Sequence, residues 1–266
     1  MTALFLFAHQ DDEIGVLHEI SSTLARKEPL LCVYLTNGAW EGVAPERRNA
    51  ESARVLAALG VATGSIRFLG TDVAIPDGGL VEHLDRCLDS LLQIVERLGD
   101  APSRVVMHAW EGGHQDHDAG HLIGLAAAAR TGALARSRQF PLYRPSKGWL
   151  KLAYASPLAA NGPVERTRIP RAARLRHLAL MRHYGSQRRV IADLLPHIVA
   201  DYVLDGCQKL QPVALQRVTE RPIDDTMLYE RWKLYDYARF QQHAAPFISR
   251  RLSTERVQAH ETRPSA

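Results

Sequence analysis

Residues 4–8, Leu4-Phe5-Leu6-Phe7-Ala8, form an unbroken apolar run that ends abruptly in His9-Gln10-Asp11-Asp12-Glu13. A short run of this kind has the pattern of a strand buried on both faces, and such strands belong to parallel sheets covered by helices. Further runs at 30–36, 65–69, 104–109 and 149–155 read as strands, with helical spacing between them at 14–27, 45–59, 81–98 and 117–131. Pro45 suits a first helical turn and Gly60 a helix stop. The alternation predicts an α/β fold, a Rossmann-like, mostly parallel sheet with helices on both faces. The later part reads as helical, at 171–184, 190–202 and 226–245. Ligands of open α/β sheets bind beyond the carboxyl ends of the strands. The acidic cluster lies at such an end, and so does a second one, His114-Gln115-Asp116-His117.

Composition narrows the class without naming a function. The chain has 266 residues, 46% hydrophobic and 23% charged, which suits one globular domain over 1–252 with a polar tail at 253–266 expected to be disordered. Cys32, Cys87 and Cys207 have neither zinc-ligand nor redox spacing, which points to a reducing compartment and a cytoplasmic setting. No apolar stretch is long enough for a membrane span. A net charge of +4 suits an anionic or phosphate-bearing partner and does not by itself indicate nucleic acid.

The two clusters together carry the chemistry. Three adjacent acids at a helix start can be capping groups, but crowding them beside a histidine costs energy unless a cation offsets it. His9, Asp12 and His117 supply two imidazoles and a carboxylate, the ligand pattern of a catalytic zinc with an open position. Adjacent helical residues diverge, so Asp11 is free to act as general base while Asp12 binds metal. His114 is left to protonate a leaving group or stabilise an oxyanion, with Asp116 fixing the tautomer of a catalytic histidine. Trp110, at a strand end, is a candidate to stack on a sugar face. His108 and His18 read as structural, and 166–176 as a solvated basic face.

The paired motifs resemble the LmbE-like or PIG-L family of zinc-dependent N-deacetylases. The likeness extends to Thr36-Asn37-Gly38, Arg48-Asn49-Ala50-Glu51, Pro76-Asp77-Gly78-Gly79 and Tyr184-Gly185-Ser186-Gln187, roughly residues 3 to 190. It implies His9, Asp12 and His117 as ligands of Zn2+, or of Fe2+ or another divalent ion. It also implies Asp11 as base, His114 as acid or oxyanion partner held by Asp116, and Arg48 and Asp77 as sugar contacts. Two departures stand out. Gln10 and Gln115 occupy positions where prolines are common, and Gly112 occupies the place of a tyrosine that assists the oxyanion in some members.

The expected activity is hydrolytic removal of the N-acetyl group from an N-acetylglucosamine-type conjugate, either a small molecule or lipid-linked. Two rivals use the same residues. Two histidines and a carboxylate also hold Fe(II) in oxygenases, though usually on a β-barrel. A non-catalytic carbohydrate-binding protein would need neither Asp11 nor His114.

Overall fold

The computed structural model describes residues 1–40, 42–146 and 152–253. In chain order the elements are β1 (Ala3–Phe7), α1 (Leu17–Ala25), β2 (Leu30–Tyr34), α2 (Pro45–Leu59), β3 (Ile66–Arg67), α3 (Leu69–Asp72), α4 (Leu84–Glu96), β4 (Arg104–His108) and α5 (Gln115–Arg130). They continue with β5 (Arg138–Phe140), β6 (Tyr143–Pro145), β7 (Leu152–Tyr154), β8 (Glu165–Arg168), α6 (Arg171–Leu180), α7 (Arg188–Leu204), β9 (Cys207–Pro212), α8 (Leu228–Arg231) and α9 (Tyr237–Arg251). The main sheet has the order β3-β2-β1-β4-β5-β9-β8. Its first five strands are parallel, and β9 and β8 close one side antiparallel.

Alternation along β1 explains the layering. Leu4, Leu6 and Ala8 join one buried cluster with residues of α4, α5 and α9, while Ala3, Phe5 and Phe7 join the other with residues of α1, α2 and α7. All of these strand residues are at most 1% exposed, so the central strand has no polar face and must sit between helix layers. The chain leaves β1 toward β2 on one side and returns through β4 on the other. The two strands that end in the polar clusters are therefore neighbours at the switch point of the sheet.

The predicted fold class holds, and α2 spans Pro45–Leu59 as read, closed by Gly60 at φ 105°. Other boundaries shift. The helix expected at 14–27 begins as a 3-10 turn over Asp12–Val16, and that expected at 226–245 is split into α8 and α9. The strand expected at 149–155 is not a member of the main sheet. Its described part, β7, pairs antiparallel with β6 in a separate two-stranded sheet, and 149–151 lie outside the described residues. The expected tail lies, apart from Ser253, outside them too. Among the described residues, no helix is long and apolar enough to cross a membrane.

Gly70 packs directly on the stretch that follows β2. A Cβ at that position would overlap the backbone of Thr36, which no rotamer change relieves. Gly70→Ala is therefore expected to destabilise the fold by at least about 1–3 kcal/mol, the usual cost of overpacking. Urea unfolding measures it, and an unchanged midpoint contradicts this packing.

Candidate active site

The first cluster is shaped by a strained turn. Asp11 has φ 131°, a conformation that side chains rarely adopt and that costs on the order of 1–3 kcal/mol. Buried contacts hold it there. The Asp11 N–H donates to Glu13 Oε2 at 3.1 Å, and the Tyr184 hydroxyl donates to Glu13 Oε1 at 2.9 Å. Ser186 N–H and Oγ donate to Glu51 of α2, so 184–186 tie this turn to α2. Gln10, at a position where the resemblance implies a proline, donates to Asn49 Oδ1 at 2.7 Å.

The second cluster follows β4 through two glycines with separate reasons to be glycine. Gly112 has φ 69°, and a Cβ on Gly113 would overlap the Tyr143 carbonyl. His114 then caps α5, its Nδ1 accepting the Asp116 N–H at 3.2 Å. The rings of His9, His114 and His117 meet with centroids 4.7 to 5.3 Å apart.

Asp12 connects the clusters. Its Oδ1 lies 3.1 Å from His117 Nε2, and its Oδ2 accepts the His9 N–H at 2.6 Å and lies 3.5 Å from His9 Nδ1. His9, Asp12 and His117 thus meet pairwise. Among the described residues they belong to three overlapping groups with ligand-like spacing, His9–His114–His117, Asp12–His108–His117 and His9–Asp77–Asp116. His108 is the member that the sequence alone marks as structural. It stacks on His117 at 4.1 Å, and its Nε2 lies 3.1 Å from Asp12 Oδ2. The available signal is a histidine interrupting the apolar run of β4.

Two expected roles are corrected. The Asp116 carboxylate does not hold His114. It is fully buried, and it accepts Gly78 N–H at 2.6 Å and Leu80 N–H at 3.0 Å and pairs with His9 Nε2 at 3.0 Å. The helical start at Gln115 aims it across the sheet at β1. Trp110 does not face the crevice either. It is wholly buried, its Nε1 donates to the Glu220 carbonyl, and its ring packs on Phe240. Among the described residues, Trp40 and Trp232 are the tryptophans that line the crevice, a cavity of about 270 Å³ that also takes in His9, Asp11, Asp12 and His114.

Arg48 and Asp77 line the same cavity but are largely committed to one another. Arg48 donates to Asp77 Oδ2 and to the Gln10 and Gly38 carbonyls, each at 2.8 Å, and lies 3.4 Å from Asp11 Oδ1. Asp77 Oδ1 lies 3.3 Å from His9 Nε2. Tyr143, which no motif marked, also lines the cavity, with its ring 5.2 Å from that of His117.

The electrostatics fit a cation. Burial lowers the His117 and His114 pKa values to about 3, leaving both imidazoles neutral near neutral pH. Burial would lower that of His9 too, but Asp77, Asp12 and Asp116 outweigh it and hold the value well above the ordinary one. Burial pushes Asp12 up, yet His117, His108 and His9 keep it well below the usual carboxylate range. Burial raises Asp11 to about 8, against the pull of Arg48. Among the described residues, His117 Nδ1 has no hydrogen-bond partner, and its Nε2 faces the Asp12 carboxylate at 3.1 Å. Such buried nitrogens, beside carboxylates that favour positive charge, suit a divalent metal.

The PIG-L family profile, described as GlcNAc-PI de-N-acetylase, matches residues 4–128. The chain is similar to the zinc-inhibited form of teicoplanin deacetylase Orf2, at 17% identity and a TM-score of 0.59 over 80% of this chain and 98% of that one. It is similar to N,N'-diacetylchitobiose deacetylase from Pyrococcus horikoshii, at 16% and 0.55 over 80% and 82%. It is also similar to the conserved protein TT1542 from Thermus thermophilus, at 22% and 0.53 over 80% and 93%. No curated protein matches. Fold and site together define an LmbE-like α/β protein with a histidine–carboxylate crevice at the switch point of its sheet. The likeness to the PIG-L family profile rests on residues 4–128.

Behind the crevice, Glu111 accepts Leu142 N–H and Tyr143 N–H through Oε1, at 2.8 and 3.1 Å. Burial raises its pKa from 4.5 to about 8. The folded state then binds the proton more tightly than the unfolded chain. Stability from this group is full below about pH 4.5 and falls as pH rises toward about 8. Glu111→Gln keeps the acceptor and removes the titration. Its melting temperature is expected to fall less than that of the parent between about pH 5 and about pH 8. Parallel melting curves across that range contradict the assignment.

Proposed function

We propose that the chain is a zinc-dependent N-deacetylase acting on an N-acetylglucosamine-type conjugate, small or lipid-linked. The observation that carries this reading is the convergence of His9, Asp12 and His117 in one crevice with Asp11, paired to Arg48, and His114. The match to the PIG-L family and the likeness to deacetylases of teicoplanin and diacetylchitobiose support it. His9, Asp12 and His117 would hold the metal, with His108 backing both Asp12 and His117. Zinc bound there supplies Lewis acidity toward a carbonyl oxygen and water.

The chain's own groups do the rest. Asp11 accepts a proton from the attacking water. Arg48, 3.4 Å from its Oδ1, holds the carboxylate in the crevice. His114, capped onto α5, faces His9 edge to ring at 4.7 Å and is placed to hold a proton for the departing amine. Asp116 fixes the orientation of His9, the role of a carboxylate behind a ligand histidine. Arg48 and Asp77 shape the sugar end of the crevice as a paired donor and acceptor. A cytoplasmic setting belongs to the same reading.

Replacing His9, Asp12 or His117 by Ala is expected to reduce metal content and acetate release together. Asp11→Asn is expected to retain metal while losing about 100-fold or more in kcat, as loss of a general base implies. Elemental analysis with an acetate assay on N-acetylglucosamine conjugates decides. Full metal occupancy in all three alanine variants removes the ligand assignment, and an unimpaired Asp11→Asn removes the base.

A further inference from the structure

Helix α7 is apolar on both sides. Ile191, Leu194, Ile198 and Tyr202 are buried, as the inner stripe of a surface helix is. The opposite side of such a helix is ordinarily polar. Here it carries Ala192, Leu195, Pro196, Val199, Ala200 and Val203, all exposed and recurring at helical spacing. Val203 is 72% exposed, and Leu204 at the end of the helix is 85% exposed. With about 100° between successive residues, Asp193 and His197 fall beside this stripe and not on it. α6 meets the same end of α7, where Arg174 donates to the Tyr202 carbonyl. Leu175 of α6 is exposed at 70%.

The rim of this face is basic. Residues 165–189 hold eight arginines and a single acid, Glu165. Arg171, Arg182, Arg188 and Arg189 are exposed, and among the described residues no carboxylate pairs with them. Arg188 and Arg189 open α7 and Arg171 opens α6, where the helix dipole disfavours cations. Helix stability therefore does not explain their place. Arg188 shares the α7 side of Ala192, Leu195 and Val199, and Arg171 shares the α6 side of Leu175. The exposed apolar groups are thus headed by unpaired cations.

The 17 residues of α7 make a rod about 25 Å long and about 10 Å wide. Its outer side offers on the order of 250 Å², against about 800 Å² per partner in a stable protein interface. Two copies of the chain pairing through it would also bring their arginine rims together. Residues 254–266 hold one large apolar side chain, Val257, and match the stripe no better. A lipid surface needs no matching shape. It takes apolar side chains below its headgroups and holds arginines at its phosphates. We propose that the outer face of α6 and α7 docks on an anionic lipid bilayer. Leu195, Val199, Val203 and Leu204 enter the boundary between headgroups and acyl chains, and the arginines meet the phosphates. Docking needs neither metal nor hydrolysis, so it stands apart from the deacetylase reading.

The test is flotation of the full chain with vesicles of phosphatidylcholine alone and of an equal mixture with phosphatidylglycerol. Each basic residue near an anionic surface strengthens binding by roughly fivefold. The mixed vesicles are therefore expected to bind the chain at least about tenfold more tightly than phosphatidylcholine alone. Val203→Asp with Leu204→Asp, and separately Arg188→Glu with Arg189→Glu, are each expected to weaken that binding by about tenfold or more. Circular dichroism and the melting temperature are expected to stay close to the parent's. Should the aspartate pair unfold, the arginine pair decides. Arg97→Glu with Arg130→Glu makes the same change of net charge at exposed sites by the ends of α4 and α5, in the opposite helix layer, and is expected to leave most of the binding. The proposal is overturned if the chain shows no preference for the anionic vesicles, if binding survives both α7 pairs, or if the Arg97 and Arg130 pair weakens it as much. Sedimentation of the lipid-free chain covers the other occupant. A chain that ignores both vesicles and self-associates, and loses that association in Val203→Asp with Leu204→Asp, gives the face to a second copy and overturns the bilayer.

Discussion

The Asp116 carboxylate is the interaction on which the arrangement of this site rests. It is wholly buried and stands at the first turn of α5, yet it reaches His9 at the end of β1 and the backbone of Gly78 and Leu80. A carboxylate in such a place is costly unless its lone pairs are filled, and here backbone donors and an imidazole fill them. The same bonds register three segments that are far apart in sequence. They set the side of His9 that faces Asp116, and they bring the 77–80 loop, with Asp77, against the crevice. The sheet brings β1 and β4 side by side; Asp116 determines how their polar ends face one another.

The remaining electrostatics follow from that geometry. Asp116 and Asp77 lie within 3.3 Å of His9 Nε2, and Asp12 approaches from the Nδ1 side. Their combined field outweighs burial and favours positive charge at His9. His114 and His117, with less carboxylate nearby, yield to burial and stay neutral. Three histidines within about a ring's width are therefore pushed in opposite directions, by burial on one hand and by the nearby carboxylates on the other. The strained backbone of Asp11 belongs to the same design. Its carboxylate meets Arg48 while that of Asp12 meets His9, His108 and His117, so two adjacent acids have different partners in one crevice.

The parts legible in the sequence are those with local signals. The apolar run of β1, the proline start and glycine stop of α2, and the polar clusters after β1 and β4 each carry their meaning within a few residues. Together they specify the fold class and bring the expected ligands to one place. Trp110 and Asp116 depart from expectation for a common reason. A position at a strand or helix end does not say which way a side chain points, and one residue of twist separates the crevice from the core. His108 is hard to single out because a lone histidine in an apolar strand is usually structural. Its partners, Asp12 and His117, come from other elements.

The C-terminal half is less legible because its sheet strands are not apolar. In β9, Gln208, Lys209 and Gln211 are buried, and such a run does not read as a core strand. Each is tied down by tertiary contacts, although among the described residues Gln211 Oε1 has no hydrogen-bond partner. Gln208 donates to the Gly15 carbonyl, at the end of the turn that begins with Asp12. Gln211 donates to the Leu158 and Gly162 carbonyls. Lys209 donates to the Ala155 carbonyl and reaches Asp201 on α7 at 2.6 Å. Buried ion pairs of this kind add little net stability, but they penalise any other placement of the groups they join. Here the group joined to the sheet is α7, the helix that carries Val190, Ile191 and Leu194. The polar strand that hides the C-terminal half from sequence reasoning is thus also what fixes α7 where Val190, Ile191 and Leu194 line the crevice.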